Sequence, residues 1–162
     1  MTELVSGAGV QPVPAARVTS GGVGAILTGV SGFLILGAIV VPWATALEYD
    51  GYRWTRYGFE MDDWPYLALC GLFILGVGIA RHAARIHWLW QVLPIIPGAF
   101  AGFDALWYIH NISNLIESAH ASAPWVGGYF DAGPIMTLIG GLLAVIGGLG
   151  FLITPIRKAA GQ

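Results

Sequence analysis

Four long stretches of this chain carry no Asp, Glu, Lys or Arg. They cover residues 18–47, 64–80, 86–103 and 132–156, and are 30, 17, 18 and 25 residues long. A helix rises about 1.5 Å per residue and a bilayer's hydrocarbon core is about 30 Å thick, so about 20 apolar residues cross it. The pattern predicts an all-α integral membrane protein. Its core is a four-helix transmembrane bundle over residues 20–156, with spans at about 20–46, 64–80, 87–112 and 132–156. Residues 1–19, rich in Gly, Pro, Ser and Val without helical period, read as a flexible tail, and 157–162 as a short second tail.

The polar breaks between the runs predict local structure of their own. Residues 47–63 read LEYDGYRWTRYGFEMDD. An Asp-Gly pair between alternating residues is a strong hairpin signal, because a tight primed turn needs positive φ. Centring the turn on Asp50-Gly51 pairs Tyr49 with Tyr52, Glu48 with Arg53 and Leu47 with Trp54. Tyr49, Tyr52, Arg53 and Trp54 then form an aromatic, charged face, suited to docking or to covering the bundle. Asp63 before Trp64-Pro65, and Asp131 before Ala132-Gly133-Pro134, read as acidic starts to the second and fourth helices. The third helix is expected to project past the membrane and to break over Ala121–Tyr129. Pro94 and Pro97 with Gly98 predict a bend near its beginning.

Composition agrees. Only 10% of residues are charged, 56% are hydrophobic, and mean hydropathy is +0.72. A net charge of −2 gives no basic footprint for nucleic acid. The one cysteine, Cys70, excludes an internal disulfide and a cysteine-based metal site. Of the seven basic residues, Arg17, Arg81, Arg85, Arg157 and Lys158 fall on one side of a four-span topology, and Arg53 and Arg56 on the other. The positive-inside rule therefore places both termini in the cytoplasm and the hairpin outside. Trp43, Trp64, Trp88, Trp90, Trp107 and Trp125 fall near span ends and read mostly as headgroup-layer anchors.

Candidate chemistry is sparse. Asp104 is the one carboxylate within a predicted span, and such a group calls for a partner. Trp107 and Tyr108 stand three and four residues on, within reach on a helix, and Arg53 or Arg56 could fold over from the hairpin. The residue reads either as a tie between helices or as a proton or cation site. His82, His87, His110 and His120 lie at the rims rather than at matched depth, so no haem, metal or other cofactor is expected. No nucleophile elbow, phosphate loop or dinucleotide fingerprint is present, and no enzymatic activity is expected.

The strongest positive signal is small residues at four-residue spacing. Gly24, Thr28 and Gly32 mark helix 1, and Gly140, Ala144 and Gly148 mark helix 4 beside Gly147. Helices in lipid associate by close packing, which small residues permit. These stripes serve either to pack helix 4 on helix 1 or to dock a foreign helix, and docking is the expectation carried forward.

The first helix ending in Pro42-Trp43, the short outer hairpin, the Asp-led second and fourth helices and the Gly-rich last span resemble the small four-span inner-membrane proteins of actinobacteria. Within that group the layout is similar to LucB-like accessory subunits of the mycobacterial MCE lipid-uptake complex. That resemblance implies side-on binding to permease helices and a modulatory role without catalysis. The claudin layout is excluded, because its pair of loop cysteines is missing. The expectation is an accessory subunit of a larger integral membrane complex, in contact with membrane lipids and most readily of a lipid transporter. The alternatives are an accessory subunit of a respiratory complex, or a small proton-coupled transporter using Asp104.

Overall fold

A computed structural model describes residues 20–47, 53–83, 90, 92–122 and 127–159. Four long helices dominate: α1 (Ser20–Val40), α2 (Trp64–Ala83), α3 (Ile95–Ser122) and α4 (Ala132–Ala159). Three of them contain segments long and apolar enough to cross a membrane, Gly22–Val40, Trp64–His82 and Ala132–Gly150, which marks the chain as a helical membrane protein. α3 is less apolar, because Asp104, His110 and Asn111 interrupt it.

The helices form an open array rather than a closed ring. α1 packs along α2 on one side and α4 on the other, and α4 packs along α3. α2 and α3 meet only sparsely. The order in space is therefore α2, α1, α4, α3. The core runs through the middle of this array, from Ile35, Ile39 and Trp43 to Leu67 and Ile74 on α2, Ala101 and Tyr108 on α3, and Ala144 on α4.

A three-stranded antiparallel sheet caps one end: β1 (Pro42–Leu47) in the centre, β2 (Arg53–Tyr57) and β3 (Gly127–Phe130) at the edges. The expected hairpin is present, with a different register. Leu47 faces Arg53 and Ala46 faces Trp54, so the connection is longer than a two-residue turn, and the ladder is irregular between Pro42 and Ala44. Tyr49 and Tyr52 lie outside the described residues.

α1 stops at Val40, short of the expected 46. The cause is local: a residue before proline is pushed out of the α region, so Val41 cannot continue the helix into Pro42. The next segment, PWATAL, is strand. In the third span Trp90 and Val92 are helical, Leu93 and Pro94 form a turn, and α3 begins at Ile95, so the helix is interrupted at Pro94, with Pro97 inside the first turn of α3. A missing N–H is harmless there. β3 was not expected; Gly127-Gly128-Tyr129-Phe130 forms a strand because β1 offers it a free edge, pairing Ala44 with Phe130 through Leu47 with Gly127.

Asp63 behaves as a helix start, its carbonyl accepting from the Tyr66 and Leu67 N–H groups. Asp131 has a different task. Its backbone N–H donates to the Trp43 carbonyl at 2.9 Å, and its Oδ2 accepts from Thr45 Oγ1 at 2.5 Å. It thereby ties the start of α4 to the central strand.

Candidate functional site

The small-residue stripes lie inside the protomer, which overturns the expectation that they face a foreign helix. Gly24, Thr28, Gly32, Gly140, Ala144, Gly147 and Gly148 are all buried. A Cβ on Gly32 would stand 2.5 Å from the Leu75 N of α2, and one on Gly140 would stand 2.8 Å from the Ile35 side chain of α1. Ala144 faces Gly98 of α3. The reason is geometric. α1 sits between two neighbours, so both of its smooth faces are consumed, and α4 does the same between α1 and α3.

The buried hydroxyls reinforce those contacts. Ser31 Oγ donates to the Gly140 carbonyl at 2.6 Å across the α1–α4 seam. Thr28 and Thr137 donate back along their own helices to Gly24 and Gly133. Arg81, in the last turn of α2, reaches over α1. Its Nη1 donates to Thr28 Oγ1 at 3.1 Å and more weakly to the Gly147 carbonyl at 3.4 Å. The guanidinium thus fills the notch that Gly24 leaves open and straps three helices together. Sequence reasoning placed Arg81 in a cytoplasmic loop and missed this role. The signal was its position directly after an apolar run, one helix away from the small residues at 24 and 28. Arg81→Ala is expected to lower stability by about 1–2 kcal/mol, the scale of interhelical polar ties in membranes. A drop in thermal midpoint in detergent, with Arg81→Lys intermediate, checks this.

Trp43 is the keystone of the capped end. It is fully buried, not a headgroup anchor. Its Nε1 donates to the Ala38 carbonyl at 2.6 Å, satisfying one of the open acceptors at the end of α1. Its ring meets Tyr108 edge-on at 5.0 Å, and Gly58 and Gly133 make room for the indole. Trp64, Trp90 and Trp107 are exposed, as anchors would be; Trp88 and Trp125 lie outside the described residues.

Asp104 lacks the expected partners. Tyr108 packs on Trp43 instead. Arg53 Nη2 donates to Tyr129 Oη at 2.8 Å, and Arg56 Nη2 to the Glu60 carbonyl at 3.2 Å, so both hairpin arginines are engaged on the sheet side. Asp104 Oδ2 is buried and has no hydrogen-bond partner among the described residues. The carboxylate is within electrostatic reach of Cys70 and Asp63.

Two shallow grooves run along the flanks. One, of about 270 Å³, is bounded by Leu72, Phe73, Gly76, Val77 and Ala80 of α2 with Trp90. The other, also about 270 Å³, lies between α1 and α2 over Gly29 and Gly78, with His82 at its rim. Both are open at the side and almost wholly apolar. His110 pairs with Asn114 on the exposed face of α3. Among the described residues no cluster of three His, Cys, Asp or Glu side chains is arranged to hold a metal ion.

Together these features define a helical membrane protein with a sheet cap, lateral apolar grooves and one carboxylate oxygen left unpaired among the described residues. No protein-family model, curated protein or solved structure matches the chain.

Proposed function

We propose that this chain is a non-enzymatic accessory subunit that docks on and stabilises or modulates a larger inner-membrane complex. It crosses the bilayer four times with both termini cytoplasmic, and α3 is its least apolar span. The observation that carries the reading is the character of the grooves: they are lateral and apolar, a shape that receives a helix or an acyl chain rather than a polar solute. The polar groups of the interior support it, since Ser31, Thr28, Thr137, Arg81 and Trp43 are engaged in holding helices and cap together. The sheet adds a second surface, with β2 and β3 as open edges and Phe59, Tyr129 and Phe130 exposed. The sequence layout favours a lipid transporter of the MCE type as the complex.

Purification from native membranes in a mild detergent, with mass spectrometry of what accompanies the chain, tests the proposal. Co-purification with a lipid-transport ATPase and its permease is the expected result. A haem spectrum in the purified complex supports the respiratory alternative instead. Recovery of a lone monomer in every preparation overturns both.

One observation favours a second reading. Asp104 Oδ2 is buried without a partner among the described residues, and such a group is expensive in a bilayer and a common mark of proton or cation traffic. A proton-coupled transporter would lose uptake on Asp104→Asn while keeping normal membrane levels. Uptake unchanged by that substitution ends the idea.

A further inference from the structure

β2 is an edge strand whose outer side is bare. The sheet order is β2, β1, β3, and among the described elements only β1 packs along β2, whereas β3 also lies against α3. The ladder fixes which groups β2 turns outward. In an antiparallel sheet, alternate residues bond to opposite neighbours. The Trp43 carbonyl accepts from Asp131 N–H, just past the end of β3, so Trp43 and Thr45 of β1 serve β3. Ala44 and Ala46 are then left to bond Arg56 and Trp54 of β2. Arg53, Thr55 and Tyr57 therefore turn their N–H and C=O groups away from β1. Tyr57 agrees: its N–H donates to Glu60 Oε2 at 2.9 Å, from the single 3-10 turn Gly58–Glu60 that follows β2. One end of the open edge thus carries an exposed carboxylate, Glu60, and the other an exposed cation, Arg53. Between them the backbone N–H and C=O of Thr55 have no partner among the described residues.

From this edge we infer that two copies of the chain join through β2, antiparallel about a dyad at Thr55, into one six-stranded sheet. An unpaired edge is a template for another strand, and the sequence of β2 selects which strand. RWTRY pairs with itself over its full length in one register, which sets Thr55 on Thr55, Arg53 on Tyr57 and Arg56 on Trp54. No arginine then faces another, an arrangement that would be destabilising across a ladder. At the dyad each Thr55 N–H donates to the Thr55 carbonyl of the other copy. Charge complementarity agrees. Glu60 sits at the Tyr57 N–H, and Tyr57 stands opposite Arg53 of the second copy, so each carboxylate meets a guanidinium, twice by symmetry. Arg53 gives one N–H to Tyr129 Oη and keeps others for this contact. The dyad stands perpendicular to the sheet, so both bundles lie on the same side of it, as one bilayer demands. A foreign strand finds the same edge, but only a second copy is certain to present Arg53 against Glu60 at this spacing. The inference goes beyond the accessory-subunit reading and does not depend on it.

The test uses the full chain in vesicles of phosphatidylethanolamine and phosphatidylglycerol, with energy transfer between two labelled populations diluted by added lipid. The unaltered chain is expected to self-associate. Thr55→Pro deletes an outward N–H at an edge position, where proline is tolerated, so the β1–β2 ladder survives. Association should fall about tenfold or more, the worth of the two ladder bonds lost at the dyad. Where a lowered thermal midpoint shows that Thr55→Pro disturbs the cap, the charge pair decides. Arg53→Glu and Glu60→Arg should each weaken association, and the two together should restore it. In a Cys70→Ala background, Thr55→Cys should crosslink to a dimer under copper phenanthroline, while Phe130→Cys, exposed on the far edge, should not. Energy transfer no greater than random proximity gives for the unaltered chain overturns the inference. So do equal crosslinking of Thr55→Cys and Phe130→Cys, a double charge exchange that fails to restore association, and a strand of another protein found on β2 in a complex from native membranes. None of these results removes the accessory-subunit reading, which co-purification tests separately.

Discussion

Replacing Trp43 by alanine is expected to destabilise the protein by about 3–5 kcal/mol, the range for deleting a large buried aromatic. Three losses coincide at this residue. The indole occupies space that Gly58 and Gly133 leave by lacking a Cβ, so truncation leaves a cavity bounded by two glycine backbones that cannot fill it. The edge-on contact with Tyr108 at 5.0 Å disappears, and with it a tie between α3 and the capped end. The Ala38 carbonyl loses its donor at the end of α1, where no intrahelical N–H is available to replace it. Trp107→Ala is the control, because Trp107 is 54% exposed and its loss falls in the range of surface changes, within about 0.5 kcal/mol. Thermal midpoints in detergent, read by circular dichroism, separate the two. A Trp43→Ala protein as stable as the Trp107→Ala protein removes the keystone assignment.

That contrast also shows where sequence reasoning reached and where it stopped. Charge-free runs located the starts of α2 and α4, because charges are too costly to place in lipid without need. The same signal blurred the end of α1. Residues 41–47 are uncharged, yet Pro42 had already stopped the helix, and the strand PWATAL is apolar because it packs between other elements. Trp43 looked like an interface anchor for the same reason: position near a span end is shared by anchors and keystones. Only a neighbour's geometry, here Gly58 and Gly133 against the ring, tells them apart. β3 was illegible because its two glycines weaken the strand signal of Tyr129 and Phe130, and the segment exists through pairing with β1. The hairpin was legible, but its register was not, since parity depends on connection length. As for the candidate site, spacing singled out the small residues but could not say which side of the helix a neighbour covers. Arg81 escaped notice because its partners, Thr28 and Gly147, lie 53 and 66 residues away in the chain.

The glycines themselves supply the sharpest internal comparison. Gly32→Ala and Gly141→Ala are expected each to destabilise by about 1–3 kcal/mol, the usual range for overpacking a tight contact. At Gly32 the added carbon would stand 2.5 Å from Leu75 N and 2.7 Å from the Gly71 carbonyl. At Gly141 it would stand 2.5 Å from the Gly98 carbonyl and 2.7 Å from Gly102 N. These are backbone atoms of facing helices, which cannot swing aside as a side chain does, so relief requires the helices to part. Separation at one level propagates along a rigid helix and removes contacts above and below it, including the Ser31 bond to Gly140 on the α1–α4 seam when α4 shifts. Gly29→Ala and Gly76→Ala should do the opposite. Both positions are helical, and an added Cβ meets nothing within 4 Å, so the exchange yields the helix-propensity gain of up to about 1 kcal/mol without a clash. Four single substitutions of one chemical kind thus sort by contact alone. Denaturant titrations in detergent should give two destabilised and two neutral or stabilised proteins. If Gly32→Ala matches Gly76→Ala, the backbone contact between α1 and α2 is not what holds them. The reasoning that assigns the small-residue stripes to the interior then fails with it, and those stripes become available again for a foreign helix.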